Sequence, residues 1–227
     1  MCEKKVEILH RRVETICLPV TVVFCVLAMT PAFGALVNKK LNGPLVSGGE
    51  VQEFKISPAG NWVVYIADQD TDEAEELYRV GIDGGPSVRL NSPLPAEGEV
   101  LDYAISPDSQ RVVYLARPTP GSRPELFGVP ILGPAAKGVQ LNTPDPDRQV
   151  SGFRFTPDSQ RIVFQEDLGG PFPPPQTLLA VPAEGPAAAA IPLNDQIEGT
   201  TVSSHRFEIT PDGSRVVFSG FETDSTR

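Results

Sequence analysis

The sequence predicts an all-β protein made of β-propeller-type blades, each of four antiparallel strands, with three complete blades and a partial fourth. Three observations carry this expectation. A ten-residue block recurs four times without gaps, at Ile56–Tyr65 (ISPAGNWVVY), Ile105–Tyr114 (ISPDSQRVVY), Phe155–Phe164 (FTPDSQRIVF) and Ile209–Phe218 (ITPDGSRVVF). A Leu-Asn pair recurs beside it, at Leu41-Asn42, Leu90-Asn91, Leu141-Asn142 and Leu193-Asn194; the prolines of the block are 49, 50 and 54 residues apart and the Leu-Asn pairs 49, 51 and 52. Finally, the strand after each turn is apolar without alternation, so it must be covered on both faces. Sheets that cover one another's faces at a fixed period form a repeat architecture, and radial stacking of four-stranded sheets is the propeller.

The elements follow in chain order. Residues 1–34 stand apart: Lys4, Lys5, Arg11 and Arg12 make a basic start, diluted by Glu3, Glu7 and Glu14, before an apolar run from Ile16 to Met29. Ala32 and Gly34 fit the small positions of a signal-peptidase site, with Ala35 as the first mature residue. The run is 14 residues, short of the roughly 20 that span a bilayer. A cleaved signal peptide over 1–34 is therefore expected, with an uncleaved anchor as the alternative. Either way the body is exported, to the periplasm or outside the cell; with the leader cleaved, the mature form is expected to have no membrane span. Cys2, Cys17 and Cys25 all lie in this leader, so the mature chain offers no disulfide, thiolate metal site or cysteine nucleophile.

The body, 35–227, divides into blades at about 43–91, 92–142, 143–194 and 195–227, the last partial. Residues 35–42 resemble a final strand with no partners before it and are expected to be a lone closing strand. In blade 1, Val51–Ser57 is strand A, with Phe54 and Ile56 on one face. Ser57-Pro58-Ala59-Gly60 is a tight turn in which proline presets φ. Trp62–Ala67 is strand B, Leu77–Ile82 strand C, Asp83-Gly84-Gly85-Pro86 a second turn, and Ser87–Asn91 a strand D that alternates and is expected to be more exposed. The order repeats in Arg111–Ala116 with Leu126–Ile131, and in Arg161–Gln165 with Leu178–Val181. The fourth unit reads only through strand B, near Phe221. The blade count therefore does not close: the chain is a fragment of a longer propeller, or it self-associates through uncovered blade faces. A flat β-sandwich gives no reason for a repeated turn at this period.

The block [IF]-[ST]-P-[DA]-x-x-[RW]-[VI]-V-[YF], followed by a strand ending near a Gly-Gly turn, resembles the TolB-type, WD-like β-propeller repeat (PD40-like). That repeat occurs in periplasmic TolB proteins and in the propeller domains of prolyl-oligopeptidase-like and tricorn-type proteases. The resemblance covers nearly all of 35–227, with Ala59 and Trp62 departing from it in blade 1. It implies a scaffold that binds a protein or peptide or, as the alternative, the gating portion of a larger serine peptidase whose catalytic domain is absent here.

Composition narrows the function. With 19 basic against 29 acidic residues and a formal charge of −10, the chain is not a nucleic-acid binder. Asp68, Asp70 and Asp72 could wrap a Ca²⁺, but Glu73 and Arg79 stand where an EF-hand needs glycine and glutamate. A solvated acidic loop is the plainer reading. Asp108 with Arg111, Asp158 with Arg161, and Asp212 with Arg215 recur in every block except the first, which favours turn fixing by the carboxylate, neutralised by the arginine, over ligand contact. Mature residues contain one histidine, His205, and no G-x-S-x-G, G-x-G-x-x-G, Walker or H-E-x-x-H motif, so triad, nucleotide and zincin chemistry lack support. Trp62, Tyr65, Tyr103, Tyr114, Phe153 and Phe164 are expected to pack between blades. The Pro-rich 170–176 and Ala-rich 187–190 lengthen blade 3. The reading is a non-catalytic exported scaffold with no assigned catalytic, cofactor or metal residue and with ligand-binding residues unassigned. A propeller enzyme using carboxylates and a central metal is the third reading, and no matching inward set of acids appears for it.

Overall fold

The computed structural model describes residues 38–168, 176–194 and 200–222. The expected leader, residues 35–37, most of the Pro-rich segment and residues 195–199 lie outside them. Blade 1 is β1 (Val51–Ile56), β2 (Trp62–Ala67), β3 (Glu76–Gly81) and β4 (Val88–Arg89), hydrogen-bonded in that order and antiparallel throughout. Blade 2 repeats it with β5 (Glu99–Ile105), β6 (Arg111–Arg117), β7 (Glu125–Pro130) and β8 (Val139–Gln140). Blade 3 is β9 (Arg148–Phe155), β10 (Arg161–Leu168), β11 (Gln176–Pro182) and β12 (Ile191–Pro192). The partial fourth blade is the hairpin β13 (Thr200–Ile209) and β14 (Val216–Glu222), whose ladder pairing with β11 is the single pair Gln176–Val202. The all-β arc of antiparallel blades is thus the architecture.

Strand B explains the stacking. Successive side chains of a strand point to opposite faces, and here both faces are apolar. Val64 and Ile66 of β2 pack with Val112, Tyr114 and Ala116 of β6, while Val113 and Leu115 of β6 pack with Ile162 and Phe164 of β10. Val163 of β10 then meets Phe207 of β13, with Val216 and Phe218 of β14 against it. Each blade is clamped by the next, and the core is three seams rather than one centre.

Strand A supplies an aromatic plug to the blade before it. Tyr103 of β5 is buried in the seam with blade 1, and its hydroxyl donates to the Val64 carbonyl at 2.8 Å. Burial, reinforced by the charges of Glu53 and Asp102, raises this phenol's pKa. Phe153 and Phe207 occupy the same block position in blades 3 and 4, joining the next two seams. In blade 1 that position is Phe54, and it is 43% exposed, with Ile56 at 55%; no described blade precedes it. At the opposite end Val217 is 61% exposed. Of the aromatic residues expected between blades, Tyr65, Tyr103, Tyr114 and Phe164 are buried, Phe153 is half-buried, and Trp62 is half-buried beneath the Arg79 guanidinium at 4.3 Å.

Two local expectations are corrected. Strand D is two residues long in each blade, and its leucine is buried, not exposed: Leu90 and Leu141 reach past their own sheet into the seam with the next blade. Residues 38–42 form no strand. Leu41 instead packs on the leading face of blade 1 with Val63, Tyr65 and Tyr78, doing there what Leu90 does for blade 2.

Candidate binding trough

The inner edges of the sheets meet along one trough of about 760 Å³, lined by Lys55 of β1 and by residues of β5, β9 and β13. Because β1, β5 and β9 are each the outermost strand of their sheet, the trough wall presents strand edges with backbone groups that no ladder uses.

Its charges are paired across seams. Lys55 reaches from blade 1 to Asp102 of blade 2 at 3.3 Å, holds Glu53 at 3.1 Å, donates to the Tyr103 carbonyl at 2.6 Å and lies 4.2 Å from that ring. Arg154 of β9 faces Glu208 of β13 at 3.8 Å. Between blades 2 and 3 the pattern breaks. The block positions of Lys55 and Asp102 are taken there by Ala104 and Gly152, and a Cβ built on Gly152 would meet nothing within 4 Å. The wall is notched at this seam.

Beside the notch is Gln165, cross-strand from Gly152. It stands where blades 1 and 2 have Ile66 and Leu115, it is buried, and its Nε2 has no hydrogen-bond partner among the described residues. A buried amide without a partner is a cost that an incoming acceptor would remove. None of these residues was singled out by the sequence reading. The usable signal was the change in this strand-B position from Ile66 and Leu115 in the first two blades to Gln165 in the third.

The residues that were singled out lie elsewhere. Asp68 accepts the Glu50 N–H at 2.5 Å and Asp70 pairs with Arg89 at 3.3 Å, so two of the three loop carboxylates have protein partners. Among the described residues no group of three or more His, Cys, Asp or Glu could hold a metal ion. The turn carboxylates behave as expected: Asp108, Asp158 and Asp212 each accept a hydroxyl from Ser106, Thr156 or Thr210 at 2.5 Å and a backbone N–H two residues on. The Thr210 hydroxyl and the Ser214 N–H hold Asp212 at a pKa of about 2, and the Thr156 hydroxyl lowers that of Asp158. The arginines are not uniformly their partners. Arg111 reaches Glu184 of blade 3 at 3.7 Å. His205 lies in β13, and its side chain is outside the described set.

No protein-family model and no curated protein sequence matches the chain. Solved structures do. The structure described as TolB from Agrobacterium tumefaciens aligns over 86% of this chain and 62% of its own, with 18% identity and a TM-score of 0.49. Prolyl oligopeptidase B from Galerina marginata, bound to a 35-residue hydrolysis and macrocyclization substrate, aligns over 77% of this chain and 27% of its own, with 14% identity and a TM-score of 0.53. The tricorn protease aligns over 69% and 20%, with 14% identity and a TM-score of 0.50. The chain therefore spans less than two thirds of each of these proteins, and the likeness is one of fold. Among the described residues no helix is long and apolar enough to cross a membrane.

Proposed function

We propose that the protein is a non-catalytic, exported propeller scaffold that binds an extended peptide or protein segment along the trough. The carrying observation is the notch at Ala104 and Gly152, set among open strand edges and beside the unpartnered amide of Gln165. Strand edges supply main-chain hydrogen bonds to a peptide, and pockets between them supply side-chain selection. Ile105 and Phe155 give the notch apolar walls, while Arg154 and Glu208 mark one end with both signs of charge. Ser151 also lines the trough and is hydrogen-bonded to no base among the described residues, so binding is better supported there than acyl transfer. Export rests on the leader's apolar run and small-residue site, and self-association on the exposed Phe54, Ile56 and Val217 at the two ends.

Selection of displayed random peptides against the full chain tests this reading. Enriched peptides are expected to bind the native protein and to lose binding to Gly152→Trp, which fills the notch in open space. Failure to enrich, or enrichment indifferent to that substitution, contradicts it. A second reading, the propeller portion of a larger serine peptidase, draws on the alignment with 27% of prolyl oligopeptidase B. Sequencing the reading frame beyond residue 227 tests it: a downstream G-x-S-x-G segment supports the peptidase, and its lack removes the reading.

A further inference from the structure

Three buried polar atoms on one face of blade 3 have no hydrogen-bond partner among the described residues: Gln165 Nε2, Asp167 Oδ1 and Gln176 Oε1. Their residues are 2%, 6% and 4% exposed. Gln165 and Asp167 are two residues apart on β10 and so share a face, and Gln176 is the direct cross-strand partner of Asp167. Val163 on the same face, and Leu178 opposite Gln165, belong to the cluster that receives Phe207, so this face looks into the seam with blade 4. No ion pair reaches Asp167 among the described residues. Arg148, on the neighbouring strand, meets Glu166 at 3.7 Å and Asp145 at 3.4 Å, and Glu166 points to the opposite face.

Among the complete blades this set is peculiar to the third. Asp68 and Arg117 hold the position of Asp167 in blades 1 and 2, and both are partnered there: Asp68 accepts the Glu50 N–H at 2.5 Å and Arg117 pairs with Glu99. A structural device of the repeat would recur, and these three unmet groups do not. A buried carboxylate without a cation is costly, and so are two unpaired amides. The covering hairpin is also loosely joined at this place, with one ladder pair to β11 and a register shift between Val202 and Phe207.

The unmet groups describe their ligand: one donor, two acceptors and one negative charge. The donor, on Gln165, lines the trough. The two acceptors lie further along the seam, about 6.6 Å away in strand rise. An arginine residue in an extended peptide is complementary on each count. Its backbone carbonyl is an acceptor, and its guanidinium carries a single positive charge on a planar fork of N–H donors.

We propose that the trough selects arginine at the peptide position beside Gln165. The arginine carbonyl accepts the Gln165 Nε2 proton, its side chain enters the seam between blades 3 and 4, and its guanidinium donates to Asp167 Oδ1 and Gln176 Oε1. This inference rests on the trough binding an extended peptide and adds what the trough selects.

Random peptides displayed on phage are selected against the full native chain, Asp167→Asn, Glu184→Gln and Gly152→Trp. The native chain is expected to enrich arginine at one fixed position. Asp167→Asn keeps the shape, removes the charge and is expected to lose that preference; Glu184→Gln, which removes a charge from the same blade outside the trough, is expected to keep it. An enriched peptide is then resynthesised with citrulline, which keeps the length of arginine without its charge. Fluorescence anisotropy is expected to show at least about tenfold weaker binding of the citrulline peptide to the native chain, and little difference between the two peptides on Asp167→Asn. Thermal melts separate loss of binding from loss of fold: unliganded Asp167→Asn is expected to melt no lower than the native chain, because it relieves an unpaired buried charge. Enrichment that fails on Gly152→Trp but carries no arginine preference overturns this inference and leaves the trough reading standing, whereas no enrichment by the native chain removes both. An arginine preference retained by Asp167→Asn, equal affinity for the citrulline peptide, or a clearly lower melting point for Asp167→Asn also overturns it.

Discussion

The hydroxyl of Ser159 in the blade 3 turn accepts the backbone N–H of Asp108 in the blade 2 turn at 3.1 Å. One blade earlier, Ser109 accepts the Ala59 N–H at 2.9 Å. Both serines sit in the left-handed region, with φ of 64° and 61°, which a non-glycine residue adopts at a cost of about 1 kcal/mol or more. The hydroxyl clamp offsets that cost. Blade 4 has Gly213 at this place, with φ of 70°, and so has no hydroxyl to offer.

Ser159→Ala keeps the strained backbone and removes the acceptor, so it is expected to lower stability by about 1–3 kcal/mol. Ser159→Gly relieves the backbone and is expected to lose less. Urea unfolding of the two variants checks the order; an undiminished stability in Ser159→Ala would show that the hydroxyl contributes nothing, and equal losses that the left-handed backbone costs nothing.

The two kinds of asparagine are expected to behave differently. Asn91→Ala leaves the buried Leu77 N–H without an acceptor and is expected to cost about 1–3 kcal/mol. Asn42→Ala removes an oxygen that bonds nothing, so its effect on the unliganded chain is expected to be clearly smaller. Thermal melts of both variants decide between these outcomes.

Acid stability is expected to depend on the turn carboxylates. The folded pKa of Asp212, about 2, lies below its unfolded value near 4, so the unfolded chain binds more protons between them. The contribution is complete above the unfolded value and is lost as pH falls through the folded one. Asp212→Ala is therefore expected to flatten the fall in unfolding midpoint between about pH 4 and pH 2. An unchanged slope would place the acid dependence elsewhere.

Tyr103→Phe removes a buried hydroxyl and leaves the Val64 carbonyl without it, at an expected cost of about 1–2 kcal/mol. Lys55→Ala, at an exposed ion pair on the same seam, is expected to cost no more than about 1 kcal/mol and less in high salt. Chemical denaturation at two salt concentrations separates them.

Much of the fold was legible because strand patterning is local. β2 spans Trp62–Ala67 as read, and the Pro turns fall where proline and the following small residue require them. The Leu-Asn marker was visible as a period, yet its bond joins residues about 14 positions apart in sequence and needs strand C in place to be seen. The short strand D misled because alternation in Ser87–Asn91 looks like a half-solvated strand, whereas Leu90 is buried by the following blade. The trough was not legible at all. It exists only where edges of different blades converge, and Ala104 and Gly152 acquire meaning through the Lys55–Asp102 pair they replace.

Coupling between core truncations measures most directly whether neighbouring blades clamp one another. Leu90→Ala and Val112→Ala share the seam between blades 1 and 2, whereas Val181 lies in the seam between blades 2 and 3. The stability losses of Leu90→Ala and Val112→Ala are expected to deviate from additivity by at least about 0.5 kcal/mol, and those of Leu90→Ala and Val181→Ala to add within that margin. Strong coupling across the two seams with additivity inside one would contradict a stack of nearest-neighbour sheets.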